Sequence, residues 1–121
     1  MKYEIVDASY VRSHLDDTVI VDVRPEGMYL ESRIPGALSV PYMAWRSEHG
    51  SGEKLGDLFK AKGVYENTHV IVYCYNGGLA REACAQLHDE GFYHIHCYEG
   101  SWVDWIAHSE NPVDDRVLLA G

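Results

Sequence analysis

Two short runs most constrain what this chain can become: Thr18-Val19-Ile20-Val21-Asp22-Val23 and His69-Val70-Ile71-Val72-Tyr73. Both are continuous, largely β-branched and apolar. Neither alternates with polar residues, so each reads as a strand covered on both faces. Between and after them apolar residues recur at helical spacing: Leu55, Leu58 and Phe59, then Ala80, Ala83, Cys84 and Leu87. Strands alternating with helices at these intervals predict an α/β fold, a parallel sheet with helices on both faces.

The punctuation agrees with that pattern. Asp7 is suited to cap a first helix carrying Val11 and Leu15, and Pro25 can open a short helical turn through Tyr29. Ile34-Pro35-Gly36-Ala37 is a tight connection into a short strand, Leu38-Ser39-Val40. Arg46-Ser47-Glu48-His49-Gly50-Ser51-Gly52 reads as an exposed loop, too short for a domain linker. Gly63 and Gly91 can end the helices before them, residues 94–98 form another strand, and Ser101 with Asp104 suggests a capping box for a final helix that stops before Pro112.

The 121 residues, 46% of them apolar, suffice for one core, so residues 1–121 are expected to form a single domain. No run approaches the roughly 18 apolar residues needed to span a bilayer, and the first residues lack a secretory core, which predicts a cytoplasmic protein. A net charge of -9 without any basic cluster argues against nucleic acid or membrane partners. Cys74, Cys84 and Cys97 are odd in number and spaced by ten and thirteen, which fits free thiols better than a disulfide framework or a zinc motif.

In an open parallel sheet ligands bind beyond the carboxyl ends of the strands. Cys74 falls at such an end, followed by Tyr75, Asn76, Gly77, Gly78, Leu79, Ala80 and Arg81. Glycines let successive backbone N–H groups turn inward at a helix start, a setting that favours a thiolate and would hold a negatively charged persulfide. A buried, inert cysteine closing a strand is the alternative that this loop alone leaves open.

The residues resemble the rhodanese family over nearly the whole chain. Val21-Asp22-Val23-Arg24, then Tyr29, then Arg33-Ile34-Pro35-Gly36-Ala37 is similar to that family's first signature. Val72-Tyr73-Cys74 with its glycine loop resembles the active-site segment, and Tyr98-Glu99-Gly100-Ser101-Trp102-Val103-Asp104-Trp105 the closing one. The form of the last motif is most similar to the catalytic C-terminal half of two-domain thiosulfate and 3-mercaptopyruvate sulfurtransferases. The resemblance implies a three-layer sandwich around about five parallel strands. It also implies a sulfurtransferase in which Cys74 takes sulfane sulfur from a small anionic donor, becomes a persulfide and passes the sulfur to cyanide, a thiol or a sulfur-relay protein. A persulfide carrier or protein-binding module is the second reading.

Related phosphatases enclose a tetrahedral anion in a loop whose arginine stands six places after the cysteine. Here that place is Ala80 and the arginine is Arg81, which ranks phosphatase or arsenate reductase chemistry lower. With Tyr75, Asn76 and Leu79 in the loop, a donor anion depends on backbone N–H groups and on arginines from elsewhere. Arg24 is the first candidate, with an ion pair to Asp22 as its other possible role; Arg81 can face the rim. Asp22 is expected to fix geometry by hydrogen bonds. Arg33 is either a second anion contact or, the favoured reading, a solvated surface charge; Cys84, Cys97, Trp102 and Trp105 are read as packing residues, and His94 and His96 as exposed polar alternation. Neither a metal nor a cofactor is expected.

Overall fold

The computed structural model describes residues 3–48 and 52–119. Its five strands, β1 (Glu4–Val6), β2 (Val19–Asp22), β3 (Leu38–Ser39), β4 (Val70–Tyr73) and β5 (Ile95–Tyr98), form one sheet in the order β1-β5-β4-β2-β3. All neighbours are parallel. The β-branched runs expected to be covered on both faces are the central pair: β4 is buried along its whole length and lies beside β2 in the middle of the sheet.

Period-2 alternation divides the apolar residues between two faces. On one, Val21, Val70, Val72 and Cys97 pack under α3 (Tyr42–Glu48), α4 (Leu55–Ala61) and α5 (Gly78–Asp89) through Tyr42, Leu55, Phe59, Ala83, Cys84 and Leu87. On the other, Ile20, Ile71, Tyr73 and Tyr98 pack against Val11 of α1 (Ala8–Ser13), Tyr29 of α2 (Glu26–Glu31), and Trp102 and Trp105 of α6 (Ser101–Ile106). The architecture is therefore the three-layer α/β sandwich.

Local signals placed several boundaries. Asp7 caps α1, its carboxylate accepting from Tyr10 N at 2.9 Å. Gly63 and Gly91 sit at φ +85° and +95° just beyond α4 and α5.

Four expectations are corrected. β1, a three-residue edge strand exposed at Glu4 and Ile5 and buried at Val6, is a further strand that no apolar run announces. Residues 46–48 finish α3 rather than opening a loop, because Tyr42 and Trp45 anchor a helix whose other side is exposed; residues 49–51 lie outside the described part. His96 is buried rather than exposed. Its ring lies 5.8 Å from His69 and 5.4 Å from Tyr10 in a column that continues from His69 to His94 at 3.9 Å, and the Glu4 carboxylate accepts from its Nδ1 at 3.0 Å. Arg33 is 2% exposed, not a surface charge. Its guanidinium pairs with Asp114 at 3.0 Å and donates to Tyr29 O, Leu30 O and Arg116 O, while the Arg33 and Asp114 backbones exchange two hydrogen bonds of 2.9 Å.

This clasp straps residues 114–118 across α2, ending in a bond from Leu118 N to Leu30 O. Hydrogen bonds from Arg116 and then Arg33 hold the Asp114 carboxyl well below the usual carboxylate range. A carboxyl whose folded value is depressed stabilises the folded form above its unfolded value of about 3.9, and that contribution fades as pH falls through and below it. The strap is thus expected to loosen first on acidification: the amides of Arg33 and Leu118 lose hydrogen-exchange protection below about pH 4 while β4 amides keep theirs, and Asp114→Asn reproduces the loss at pH 7. Equal protection of both sets across that range would contradict it. No helix among the described residues is long and apolar enough to cross a membrane.

Candidate active site

β4 ends at Tyr73, and the next residue, Cys74, sits beyond the carboxyl end of a central strand with 1% of its surface exposed. The chain then curls so that two backbone N–H groups aim at its sulfur: Gly77 N donates to Sγ at 3.0 Å and Ala80 N at 3.3 Å. The curl requires Gly77, which takes φ +99° as the N-cap of α5. A β-carbon there would lie 2.2 Å from the Glu99 carbonyl oxygen, so glycine is needed for both dihedral and space. Gly78 donates to Asn76 Oδ1 at 3.2 Å. Tyr75 and Asn76 are exposed, whereas Leu79 is half-buried against the core under α5.

The turn between β5 and α6 is fastened to this loop. Trp102 N donates to Cys74 O and Val103 N to Tyr75 O, each at 3.0 Å. Ser101 is fully buried at φ +59°, a left-handed conformation that costs a non-glycine residue about 1–2 kcal/mol. In that conformation its Oγ accepts from Cys74 N at 3.1 Å, donates to Tyr98 O at 2.9 Å and lies 3.7 Å from Sγ. The expected capping box is therefore absent. Ser101 holds the Cys74 backbone instead, Gly100 occupies the N-cap position, and the Asp104 carboxylate accepts from Tyr98 Oη at 2.5 Å. Ser101 is the main residue of the site that sequence reasoning misassigned, since its partner lies 27 residues away.

Asp22 and Arg24 form the other half of the expected constellation, but not as an anion site. The Arg24 guanidinium bonds both Asp22 oxygens, at 2.6 to 3.0 Å, and Ser32 O at 2.7 Å. It is 1% exposed, and the Trp102 ring covers it at 4.4 Å. Burial works against its charge, but the Asp22 hydrogen bond and charge more than offset this and raise its pKa. Arg24 is thus corrected from anion contact to buried structural ion pair. Asp22 also accepts from Tyr73 Oη at 2.6 Å, and that oxygen accepts from Ile34 N at 3.1 Å. Burial and the Asp22 charge push the Tyr73 phenol well up, so it stays protonated and donates. Asp22 accordingly ties the loop after β2 to Tyr73, the last residue of β4, and bonds no residue of the Cys74 loop among the described residues.

Arg81 stands where the loop enters α5. Its Nη1 lies 3.9 Å from Glu99 Oε2, both side chains about half-exposed, and 3.4 Å from the point a Gly77 β-carbon would occupy. Cys84 and Cys97 are fully buried; the Cys97 thiol, and then burial, push the Cys84 thiol well up, which suits a packing role. Among the described residues no group of three or more His, Cys, Asp or Glu side chains is placed to hold a metal ion.

Comparison with known proteins accords with this geometry. Residues 7–108 match the family described as Rhodanese-like domain. The chain is 27% identical over 115 residues to 3-mercaptopyruvate sulfurtransferase of Escherichia coli K12, an alignment covering 84% of this chain and 41% of that protein. It is 28% identical over 92 residues to the sulfur carrier protein TtuD of Thermus thermophilus, covering 73% of this chain and 32% of that one. The chain thus spans about two fifths or less of the length of these two relatives. Among solved structures, a rhodanese-related protein of Thermoplasma volcanium superposes with a TM-score of 0.72, 20% identity and coverage of 93% and 98%, which shows the shared fold.

Proposed function

The chain belongs to the rhodanese-like domain family, and on that premise we propose that it is a sulfurtransferase working through a Cys74 persulfide. The observation that carries the reading is the cradle at the end of β4, where Gly77 N and Ala80 N both donate to Cys74 Sγ. Two fixed amide donors aimed at one sulfur favour negative charge there, first on the attacking sulfur and then on the outer sulfur of the persulfide.

The chemistry has two steps. The Cys74 sulfur attacks the transferable sulfur of a donor such as thiosulfate or 3-mercaptopyruvate, and the remainder of the donor leaves. Cyanide, a small thiol or the cysteine of a sulfur-relay protein then attacks the outer sulfur and restores Cys74. Both steps are carried by groups of this chain and call for no cofactor. Ser101 and the backbone bonds from Trp102 and Val103 keep the loop from relaxing between them. Asp22 and Arg24 act at one remove, by holding the neighbouring loop rigid.

A second reading, a persulfide carrier that exchanges sulfur with a protein partner, is favoured by the near-complete burial of Cys74 and by the kinship with a sulfur carrier protein. Thiocyanate formation from cyanide separates the two. Multiple turnovers with thiosulfate or 3-mercaptopyruvate are the expected result, and a single equivalent of thiocyanate per chain would select the carrier. No thiocyanate from a chain preloaded with either donor would contradict sulfur transfer altogether.

A further inference from the structure

We infer that Glu99 sets donor selectivity at this site, its carboxylate offsetting Arg81 at the loop so that an organic persulfide is a better donor than dianionic thiosulfate. The inference rests on the proposed sulfur transfer through Cys74 and names the substrate class for it.

Three observations carry it. The sulfur's contacts are neutral: the amides of Gly77 and Ala80, with the Ser101 hydroxyl 3.7 Å away. The nearby Arg24 is spent on Asp22 and roofed by Trp102. Among the described residues, the cation carried at the loop itself is Arg81, and Glu99 faces its guanidinium at 3.9 Å while the Glu99 carbonyl packs on Gly77. A donor with two negative charges therefore meets an arginine already balanced by a carboxylate. Tyr75, the residue after Cys74, and Val103, whose N donates to Tyr75 O, have 48% and 38% of their surfaces exposed, apolar surface close to the loop of a kind that suits the carbon-bearing part of a thiol-borne donor.

In the inferred step the Cys74 thiolate attacks the outer sulfur of R–S–SH. The donor's S–S bond breaks, R–S⁻ departs and takes up the persulfide proton, and Cys74 is left as Cys–S–S⁻. The transferred sulfur keeps its oxidation state, so neither oxidant nor reductant is consumed.

The test measures single-turnover rates of Cys74 persulfide formation with thiosulfate, with N-acetylcysteine amide persulfide, and with the persulfide of a cysteine peptide. Wild type is expected to react faster with both organic persulfides than with thiosulfate. Glu99→Gln, which keeps the carbonyl against Gly77, is expected to raise the thiosulfate rate about three- to tenfold at low ionic strength, with the gain fading in high salt. The organic persulfide rates should change less than the thiosulfate rate, and Arg81→Gln added to Glu99→Gln should remove the gain. A faster wild-type reaction with thiosulfate, or a ratio of rates unaltered by Glu99→Gln, would overturn the inference while leaving sulfur transfer intact. Sulfur uptake from none of the three donors would overturn both. The two organic donors separate a small-molecule source from a protein-borne one.

Discussion

Cys74→Ser is expected to lower sulfur transfer at least about 10³-fold, on the scale of losing an activated nucleophile, while the protein still unfolds cooperatively at close to its original temperature. The contrast follows from where the residue sits. Serine fills nearly the same space at the end of β4, and its hydroxyl can accept from the Gly77 and Ala80 amides that now bond Sγ, so no buried N–H is stranded. Chemically the substitution is severe. An alcohol is almost wholly protonated at neutral pH and is a poor nucleophile towards divalent sulfur. No side-chain base bonds to Sγ among the described residues; the side chain that does is the Ser101 hydroxyl. Transfer that survived in a folded Cys74→Ser protein would remove Cys74 from the mechanism.

Gly77→Ala is expected to abolish transfer nearly as completely, for a geometric reason. At φ +99° a β-carbon is strained wherever it is placed, and here it would also lie 2.2 Å from Glu99 O, a backbone atom held by the turn that Ser101, Trp102 and Val103 tie to the loop. Either the loop flattens and withdraws the Gly77 amide from Sγ, or the turn is pushed off and Cys74 loses its backbone clamp. The expected signature is a drop of at least about a hundredfold in transfer, corresponding to roughly 2.7 kcal/mol, together with a lower melting temperature. Gly78→Ala is the control. Its β-carbon would meet only Asn76 Oδ1 at 3.6 Å, an ordinary contact, and alanine there favours the first turn of α5. Equal activities for the two alanine variants would mean that the cradle is not what supports the chemistry.

The central strands, the helices that cover them and the Cys74 loop were legible in the sequence because their signals are local. A strand buried on both faces must be apolar throughout, as residues 70–73 are, and a glycine pair after it marks the one place where the backbone can fold inward. Residues whose roles are set by distant partners were not legible. Arg33 meets Asp114 from the far end of the chain, and nothing around position 33 distinguishes a buried clasp from a solvated charge. Ser101 followed by Asp104 looks like a capping box, yet the left-handed backbone at Ser101 turns its hydroxyl to Cys74. Arg24 and Asp22, two residues apart, announced an ion pair and an anion contact equally well; the Trp102 ring over the guanidinium decides for the pair. β1 escaped notice because its stability comes from pairing with β5, not from its own three residues.

The most direct test of the account is the intact mass of reduced protein after exposure to thiosulfate, 3-mercaptopyruvate or an organic persulfide, before and after cyanide, with Cys74→Ser alongside. The account predicts the gain of a single sulfur, located on Cys74, removed by cyanide and absent from the variant. A folded protein with a free Cys74 thiol that gains no sulfur from any of these donors, or that gains it equally when Cys74 is serine, would contradict it.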